Sequence, residues 1–177
     1  MTELVPDLRP KRKARCTVKV LTCPTRARAN PQPAVDDDYG RYYGGGWTWA
    51  KCDYAANGFL VRHRPRCSSF SAVADGLSET ILLGEKSLSP LNYNTGTWFY
   101  DEPYFLGGSF GNRRIGALVV RDEPGCPFWD NWGSAHAAGC AFAFADASVR
   151  LLPFASPQGV VRDHLSPAGV LGDDAGP

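Results

Sequence analysis

Apolar residues along this chain occur in short runs that alternate with turn residues. No window keeps apolar residues at positions i, i+3, i+4 and i+7 over three turns, so no long amphipathic helix is predicted. The short, turn-bounded runs instead predict the strands of a meandering sheet. The predicted strands lie at residues 18–21, 80–83, 117–120, 140–145 and 149–152.

Long irregular stretches separate these runs, and 19 glycines and 14 prolines punctuate the chain. The stretches at residues 30–50 and 91–115 exceed the usual loop length, which is typical of functional or poorly ordered loops. We therefore predict a basic, poorly ordered N-terminus at residues 1–17, a single β-rich domain at residues 18–165 and a flexible C-terminal tail at residues 166–177.

Charge excludes some partners. Basic and acidic residues number 19 and 18, so the molecule as a whole offers no field that would attract nucleic acid. The chain contains no run of about eighteen apolar residues, the length needed to span a membrane. Its first residues also lack the apolar core of a signal peptide.

The N-terminal stretch is basic. A basic arm can bind phosphate, but a solvated N-terminal segment or a misassigned start is the favoured interpretation. The basic residues of this stretch are Arg9, Lys11, Arg12, Lys13, Arg15, Lys19, Arg26 and Arg28.

The cysteines are widely spread and none forms a Cys-x2-Cys pair, which argues against a zinc knuckle or an iron–sulfur site. Their even number fits disulfides formed in an oxidising compartment, with buried free thiols as the alternative. They are Cys16, Cys23, Cys52, Cys67, Cys126 and Cys140.

The segment at residues 132–152 is typical of a loop followed by a strand, a tight turn and a second strand. Asp146-Ala147 occupies the place where a two-residue hairpin turn requires positive φ at both residues. Alanine there costs roughly 1 kcal/mol relative to glycine. A longer or differently typed loop is therefore predicted.

Ser134, His136 and Asp146 suggest a hydrolytic triad, but geometry counts against it. An extended strand at residues 140–145 separates Cys140 from Asp146 by roughly 20 Å. No Gly-x-Ser-x-Gly elbow supplies a nucleophile. We interpret the segment as scaffold in which His136 bonds a loop carbonyl, and predict no catalytic residue and no cofactor.

Two loop features could bind ligands. The acidic run at residues 36–38 offers calcium ligands but lacks the Asp-x-Asp-x-Asp-Gly frame, so a solvated loop and no metal are predicted. Tyr42, Tyr43, Trp47 and Trp49 could stack on sugars, although packing beneath a long loop is favoured.

Three further blocks contain turn chemistry. Residues 19–26 form a predicted strand closed by Pro24, and residues 53–58 end in the Asn57-Gly58 turn signal. In residues 75–86, Asp75 is predicted to cap a short turn that leads into an apolar strand. Glu85 and Lys86 at its end are predicted to be exposed, with an acid/base pair as the alternative.

Together the four blocks resemble a large bacterial family of prepilin-like proteins, domain of unknown function 1559, known for a C-terminal His-X9-Asp-Gly motif. Nine residues separate His136 from Asp146, and Ala147 replaces the motif glycine. The residues that carry the resemblance are Cys23, Pro24, Asp53, Tyr54, Asn57, Gly58, Asp75, Gly76, Ser78, Thr80, Gly84, Glu85, His136, Asp146 and Ser148.

The resemblance implies a pilin-like head of the type II secretion or type IV pilin class. Its implied fold is α+β, mainly β, an antiparallel-sheet domain with long irregular loops and, in this chain, no long N-terminal helix. Relatives start with a cleaved leader and a hydrophobic helix that anchors them in the inner membrane, so we expect either a truncated copy or an internal start here.

The implied function is a non-enzymatic structural or assembly role at the cell surface or outside the cell. The implied partners are other pilin-like subunits or cell-surface components. The alternative is an extracellular module that binds carbohydrate or peptide through the aromatic loops at residues 39–49 and 91–105.

Overall fold

The computed structural model describes residues 17–33, 35, 48–61, 69–95, 100–103 and 111–168. The acidic run at residues 36–38, Tyr42, Tyr43, Trp47, Cys16 and Cys67 lie outside these ranges. Within them, no helix is both long enough and apolar enough to cross a membrane.

Most of the regular structure in the described ranges is β. The strands are β1 (Gln32–Pro33), β2 (Thr48–Trp49), β3 (Tyr54–Asn57), β4 (Ile81–Glu85), β5 (Arg113–Arg114), β6 (Val119–Arg121), β7 (Trp132–Ser134), β8 (Gly139–Phe144) and β9 (Val149–Pro153). Helix α1 spans Gln158–Leu165, and short 3-10 helices span Lys19–Leu21, Pro24–Arg26, Phe70–Ala72 and Pro90–Asn92.

A five-stranded sheet in the order β5-β3-β4-β8-β9 organises the domain, beside the two-stranded pairs β1-β2 and β6-β7. Strands β3, β4, β8 and β9 pair antiparallel, with β9 at one edge of the sheet. The β3-β5 and β6-β7 pairs are parallel, so the strand pairing is mixed. The prediction of a mainly β, α+β fold is confirmed. The parallel pairs were not predicted, because they join residues that are too far apart in sequence for a local pattern to indicate their pairing.

The core lies against the inner face of this sheet. Ile81, Phe142 and Phe144 are fully buried there with Trp132, whose ring meets Phe142 edge-on at 5.4 Å between centroids. A Cβ atom added at Gly84 would lie 2.6 Å from the Phe142 ring and 2.8 Å from that of Trp132. Position 84 therefore requires glycine because the aromatic pair fills the space beside the backbone.

Helix α1 closes one side of the core with Val161 and Leu165, both fully buried. The amide of Asn57 ties it to the sheet by donating to the carbonyls of Leu165 and Ile81, each at 2.8 Å. The sequence did not predict this helix, since two turns with two core positions are too short to show a helical period.

The predicted strand at residues 18–21 is wrong. Lys19–Leu21 forms a 3-10 helix in which Leu21 N–H donates to the Val18 carbonyl. Val20 is 77% exposed, so its apolar character does not mark burial. Local turn bonds satisfy the backbone here without a neighbouring strand.

The predicted cap at Asp75 is also wrong. Asp75 is exposed, and its carboxylate accepts no backbone N–H bond from the described residues. The turn depends instead on Gly76, with φ +93°, and on the Thr80 hydroxyl, which donates to the Gly76 carbonyl at 3.0 Å. Glycine adopts this left-handed conformation without steric cost.

The hairpin between β8 and β9 has a longer loop than the simple two-residue turn, as expected. Ala147 N–H donates to the Phe144 carbonyl, and Phe144 N–H donates to that of Ser148. Ala147 has φ +69°, and the Asp146 carboxylate accepts the Ser148 N–H at 2.9 Å. Hydrogen bonding with Ser148 lowers the pKa of Asp146. A three-residue loop with one left-handed position is typical of a type I turn with a glycine bulge.

We expect Ala147→Gly to stabilise the protein by up to about 1 kcal/mol, because glycine removes the strain of a left-handed alanine. Urea unfolding of the purified chain measures the change. Ala145→Gly in the same turn is the matched control, and we expect it to be neutral or destabilising. Equal effects of the two variants would contradict the strain argument.

The outer face of the five-stranded sheet is apolar and exposed. Cross-strand pairing places Ala56, Leu83, Ala143 and Val149 in one row across β3, β4, β8 and β9. Leu151 lies beside the row on β9. Leu83 is 41%, Leu151 52% and Val149 71% exposed. We call these five residues the outer patch.

Candidate functional site

Segments from the four sequence blocks meet at one end of strands β3 and β4. Cys23 N–H donates to the Asp53 carboxylate at 2.6 Å, and Lys86 N–H donates to the Asp53 carbonyl at 3.0 Å. The Asp53 N–H donates in turn to the carbonyl of Leu21. Asp53 therefore joins the segment before β1 to strand β4, although the two are more than fifty residues apart in sequence.

Arg26 lies at the centre of this junction and is fully enclosed. Its guanidinium bonds the Asp122 carboxylate at 2.7 Å and lies 3.3 Å from that of Asp53. It also donates to the carbonyls of Lys86 and Gly133. Burial alone would lower the pKa of Arg26, but Asp122 and Asp53 outweigh it and raise that pKa. Arg26 is therefore a permanent buried cation that links four segments.

The ion network continues from Asp53 through Arg28 to Asp101. Arg28 lies 3.0 Å from Asp53 and bonds Asp101 with both terminal nitrogens. Lys86 Nζ lies 2.9 Å from Asp101, and Lys51 Nζ donates to the Asp101 carbonyl at 2.6 Å. A single carboxylate thus faces three cations.

Burial and charge act in opposite directions on these groups. Burial would raise the pKa of Asp101, but Arg28, Lys86 and Lys51 outweigh it and lower that pKa. Burial lowers the pKa of Lys51 to about 8, because Asp101 offsets only part of the desolvation cost. The close packing of Arg28, Lys86 and Lys51 therefore depends on the negative charge of Asp101.

Two predictions about exposure are wrong. Arg26 and Arg28, predicted to lie in a solvated basic segment, are buried, and so are Glu85 and Lys86. Their charged or polar partners come from distant segments, so the local sequence contains no sign of burial. Charged side chains are rarely buried unless they are paired.

Beside the network lies a cluster of Cys23, Glu85 and His136. The His136 Nε2 atom is 3.2 Å from Glu85 Oε1 and 3.7 Å from Cys23 Sγ. Burial, followed by the neighbouring Glu85, raises the pKa of Cys23. Burial also raises the pKa of Tyr54 to about 12, with Glu85 and Cys23 adding to the shift. Three family blocks and the motif histidine thus share one small site.

The structure does not assemble the hydrolytic triad. The Ser134 hydroxyl accepts the backbone N–H of His136, and the His136 imidazole contacts Thr25, Cys23 and Glu85. Asp146 bonds the hairpin backbone beyond the far end of β8. The expected loop-carbonyl partner of His136 is replaced by the Thr25 hydroxyl, 3.0 Å from Nδ1.

The remaining candidate residues lie outside the cluster of Cys23, Glu85 and His136. Asn57 clamps the turn that the sequence predicted, by accepting the Phe59 N–H through Oδ1. A Cβ atom added at Gly58 would lie 2.5 Å from the Ile115 side chain. Ser78 is exposed beside Asp75. Among the aromatic residues at positions 42–49 that could stack on sugars, only Trp49 lies in the described ranges. Trp49 is buried, so its ring has no face open to a ligand.

The four cysteines in the described ranges are free and buried. The disulfide expectation is therefore not met for Cys23, Cys52, Cys126 and Cys140. Sequence reasoning also missed Asp101 and Asp122, because each lies in an irregular segment and shows no motif.

Comparison with known proteins identifies a family. No curated protein and no solved structure matches the chain. Residues 4–155 match the family described as "Protein of unknown function (DUF1559)". That range includes Cys23, Asp53, Glu85 and His136, and it covers most of the chain. On this match the chain belongs to DUF1559, the prepilin-type H-X9-DG family.

Proposed function

We propose that this chain is a non-enzymatic structural domain of an exported prepilin-like protein. Its role is to pack into, or decorate, a surface filament together with other pilin-like subunits. Membership of the prepilin-like family supports export and assembly. The outer patch supports the same role, because it supplies a surface for another subunit.

The outer patch is the observation that carries the proposal. Its residues belong to four adjacent strands, and three of them are large aliphatic side chains exposed to solvent. Contiguous apolar patches on a protein surface mark interaction sites. Ala56 and Ala143 alternate with Leu83 and Val149 along the row and leave shallow places between the larger side chains, so an apolar segment of a second subunit can lie across the face.

Burial of the ion network suits a structural domain. Arg26 and Arg28 connect irregular segments to the sheet through charge-assisted bonds. Such bonds are short and directional, so they hold backbone segments in one arrangement. A domain that presents a flat face to a neighbour needs this kind of rigid support.

A charge placed in the outer patch tests the proposal. We expect Val149→Glu to lower by at least about 10-fold the amount of the chain recovered with sheared surface material from its native host. Burying an unpaired carboxylate at an apolar interface costs several kcal/mol. The measurement is quantitative immunoblotting of an epitope-tagged chain expressed from its own locus.

Val160→Glu provides the matched control. Val160 is also an exposed valine, 46% accessible, but it lies on α1 and away from the outer patch. We expect it to leave recovery unchanged, and both variants to keep the wild-type melting temperature. Retention of the wild-type chain inside the cell, or equal recovery of the two variants, would count against surface assembly through this face.

A further inference from the structure

We propose that Cys23, Glu85 and His136 form a zinc site with one open coordination position. The proposal adds a ligand to the chain and does not depend on the assembly role proposed above. A thiol sulfur, a carboxylate oxygen and an imidazole nitrogen lie within 4.8 Å of one another. These three atom types are the ones that zinc binds in proteins.

The spacing of the three atoms suits tetrahedral coordination. Zinc lies about 2.3 Å from a thiolate sulfur and about 2.0 Å from nitrogen or oxygen, which separates neighbouring ligands by about 3.3–3.6 Å. Two of the three separations are 3.7 Å from sulfur to nitrogen and 3.2 Å from nitrogen to oxygen, and all three atoms lie within 4.8 Å of one another. Little movement is needed to hold one ion between these atoms.

Outer partners orient two of the ligands. The Thr25 hydroxyl bonds His136 Nδ1 at 3.0 Å, which directs Nε2 toward the cluster. The Ala141 N–H donates to Glu85 Oε2 at 3.0 Å, which leaves Oε1 directed at Nε2. Metal sites in proteins use such hydrogen bonds to the ligand side chains to fix the ligand atoms.

The burial of the Glu85 carboxylate gives an independent reason to expect a bound metal ion. Its side chain is 1% exposed, and among the described residues its only ion-pair partner is His136, which is 38% exposed. Buried carboxylates are paired or coordinate a metal. A divalent cation would compensate both this carboxylate and a Cys23 thiolate.

The exposure of His136 leaves one side of the cluster open to solvent. Cys23 and Glu85 form its buried floor, so a fourth ligand would come from water. Three protein ligands with a water in the fourth position are typical of zinc sites that keep an open coordination position. Sulfur and nitrogen donors disfavour calcium and magnesium, which prefer oxygen.

Metal binding can be measured directly on the purified full chain after chelator treatment. We expect one Zn²⁺ per chain by competition with a chromophoric chelator. We also expect Co²⁺ to give a thiolate-to-cobalt charge-transfer band and the strong visible bands of tetrahedral cobalt. Cys23→Ser should abolish the charge-transfer band.

Glu85→Gln and His136→Gln should weaken Zn²⁺ binding by at least about 100-fold, since even loss of a residue that only hydrogen-bonds a ligand costs about 10–100-fold. Thr25→Val should weaken it by about 10–100-fold and leave all three ligands in place. Cys126→Ser and His164→Gln are controls outside the cluster, and both should bind as the wild type does. Circular dichroism checks that each variant is folded.

Three results would overturn the proposal. One is a wild-type chain that binds no stoichiometric Zn²⁺, which would mean that the cluster is a hydrogen-bonded triad only. Another is a cobalt–thiolate band that survives in Cys23→Ser. The third is equal Zn²⁺ affinity in Thr25→Val, Glu85→Gln and the wild type. This comparison remains informative even if Cys23→Ser does not fold.

Discussion

Replacing Arg26 with methionine is expected to lower the free energy of unfolding by about 3–5 kcal/mol. Methionine fills a similar volume but leaves the Asp53 and Asp122 carboxylates buried without their shared guanidinium. It also removes the donors to the carbonyls of Lys86 and Gly133. Losing one partner of a buried ion pair costs far more than the pair itself contributes, because an uncompensated charge remains in the interior.

Urea unfolding measured by tryptophan fluorescence gives this free energy. Arg162→Met is the matched control, because Arg162 is an exposed residue of α1 and its replacement should change stability by less than about 0.5 kcal/mol. A loss below about 1 kcal/mol in Arg26→Met would show that water reaches the carboxylates and that the network is less enclosed than the structure indicates.

The second large effect is expected at Asp101. Asp101→Asn removes the carboxylate that faces Arg28, Lys86 and Lys51, so that three cations repel one another in the interior. We expect a loss of about 3–5 kcal/mol near neutral pH. Asp163→Asn on the exposed side of α1 is the control, with an expected change below about 0.5 kcal/mol.

Acid should reproduce part of this loss in the wild type. The pKa of Asp101 is lower in the folded chain than its ordinary value of about 3.9, so the unfolded state takes up the proton first. The stabilisation by Asp101 is therefore present above about pH 4 and is lost as the pH falls toward the folded-state pKa.

Stability curves from about pH 6 to pH 2 test the assignment. The wild-type curve should fall more steeply than that of Asp101→Asn below about pH 4, since only the wild type loses the Asp101 contribution there. Parallel curves for the two proteins would assign the acid sensitivity to other carboxylates.

Local sequence was enough to predict strands β4, β8 and β9 and the hairpin between β8 and β9. Apolar and small residues alternate along Gly139–Phe144, and that period of two places Phe142 and Phe144 on the core face. The alanine in place of glycine correctly indicated an unusual turn, because the conformational cost belongs to the residue itself. The blocks that resemble the prepilin-like family also follow from sequence order alone.

The same local reasoning failed where a residue's partner is distant. Lys19–Leu21 has the composition of a strand, yet no neighbouring strand is available and its backbone closes turns instead. Glu85 and Lys86 look like exposed charges because their partners, His136 and Asp101, are contributed by other segments. Burial of a charge depends on what surrounds it, and surroundings are a property of the fold.

The strand-rich character of the chain, the β8-β9 hairpin and the family all follow from local sequence. Long-range contacts in the fold determine which face of the sheet is exposed and which side chains share a site. Cys23, Glu85 and His136 show no metal-binding spacing, since each comes from a different segment. Chain folding brings such atoms within bonding distance, and no spacing rule along the chain can express that proximity.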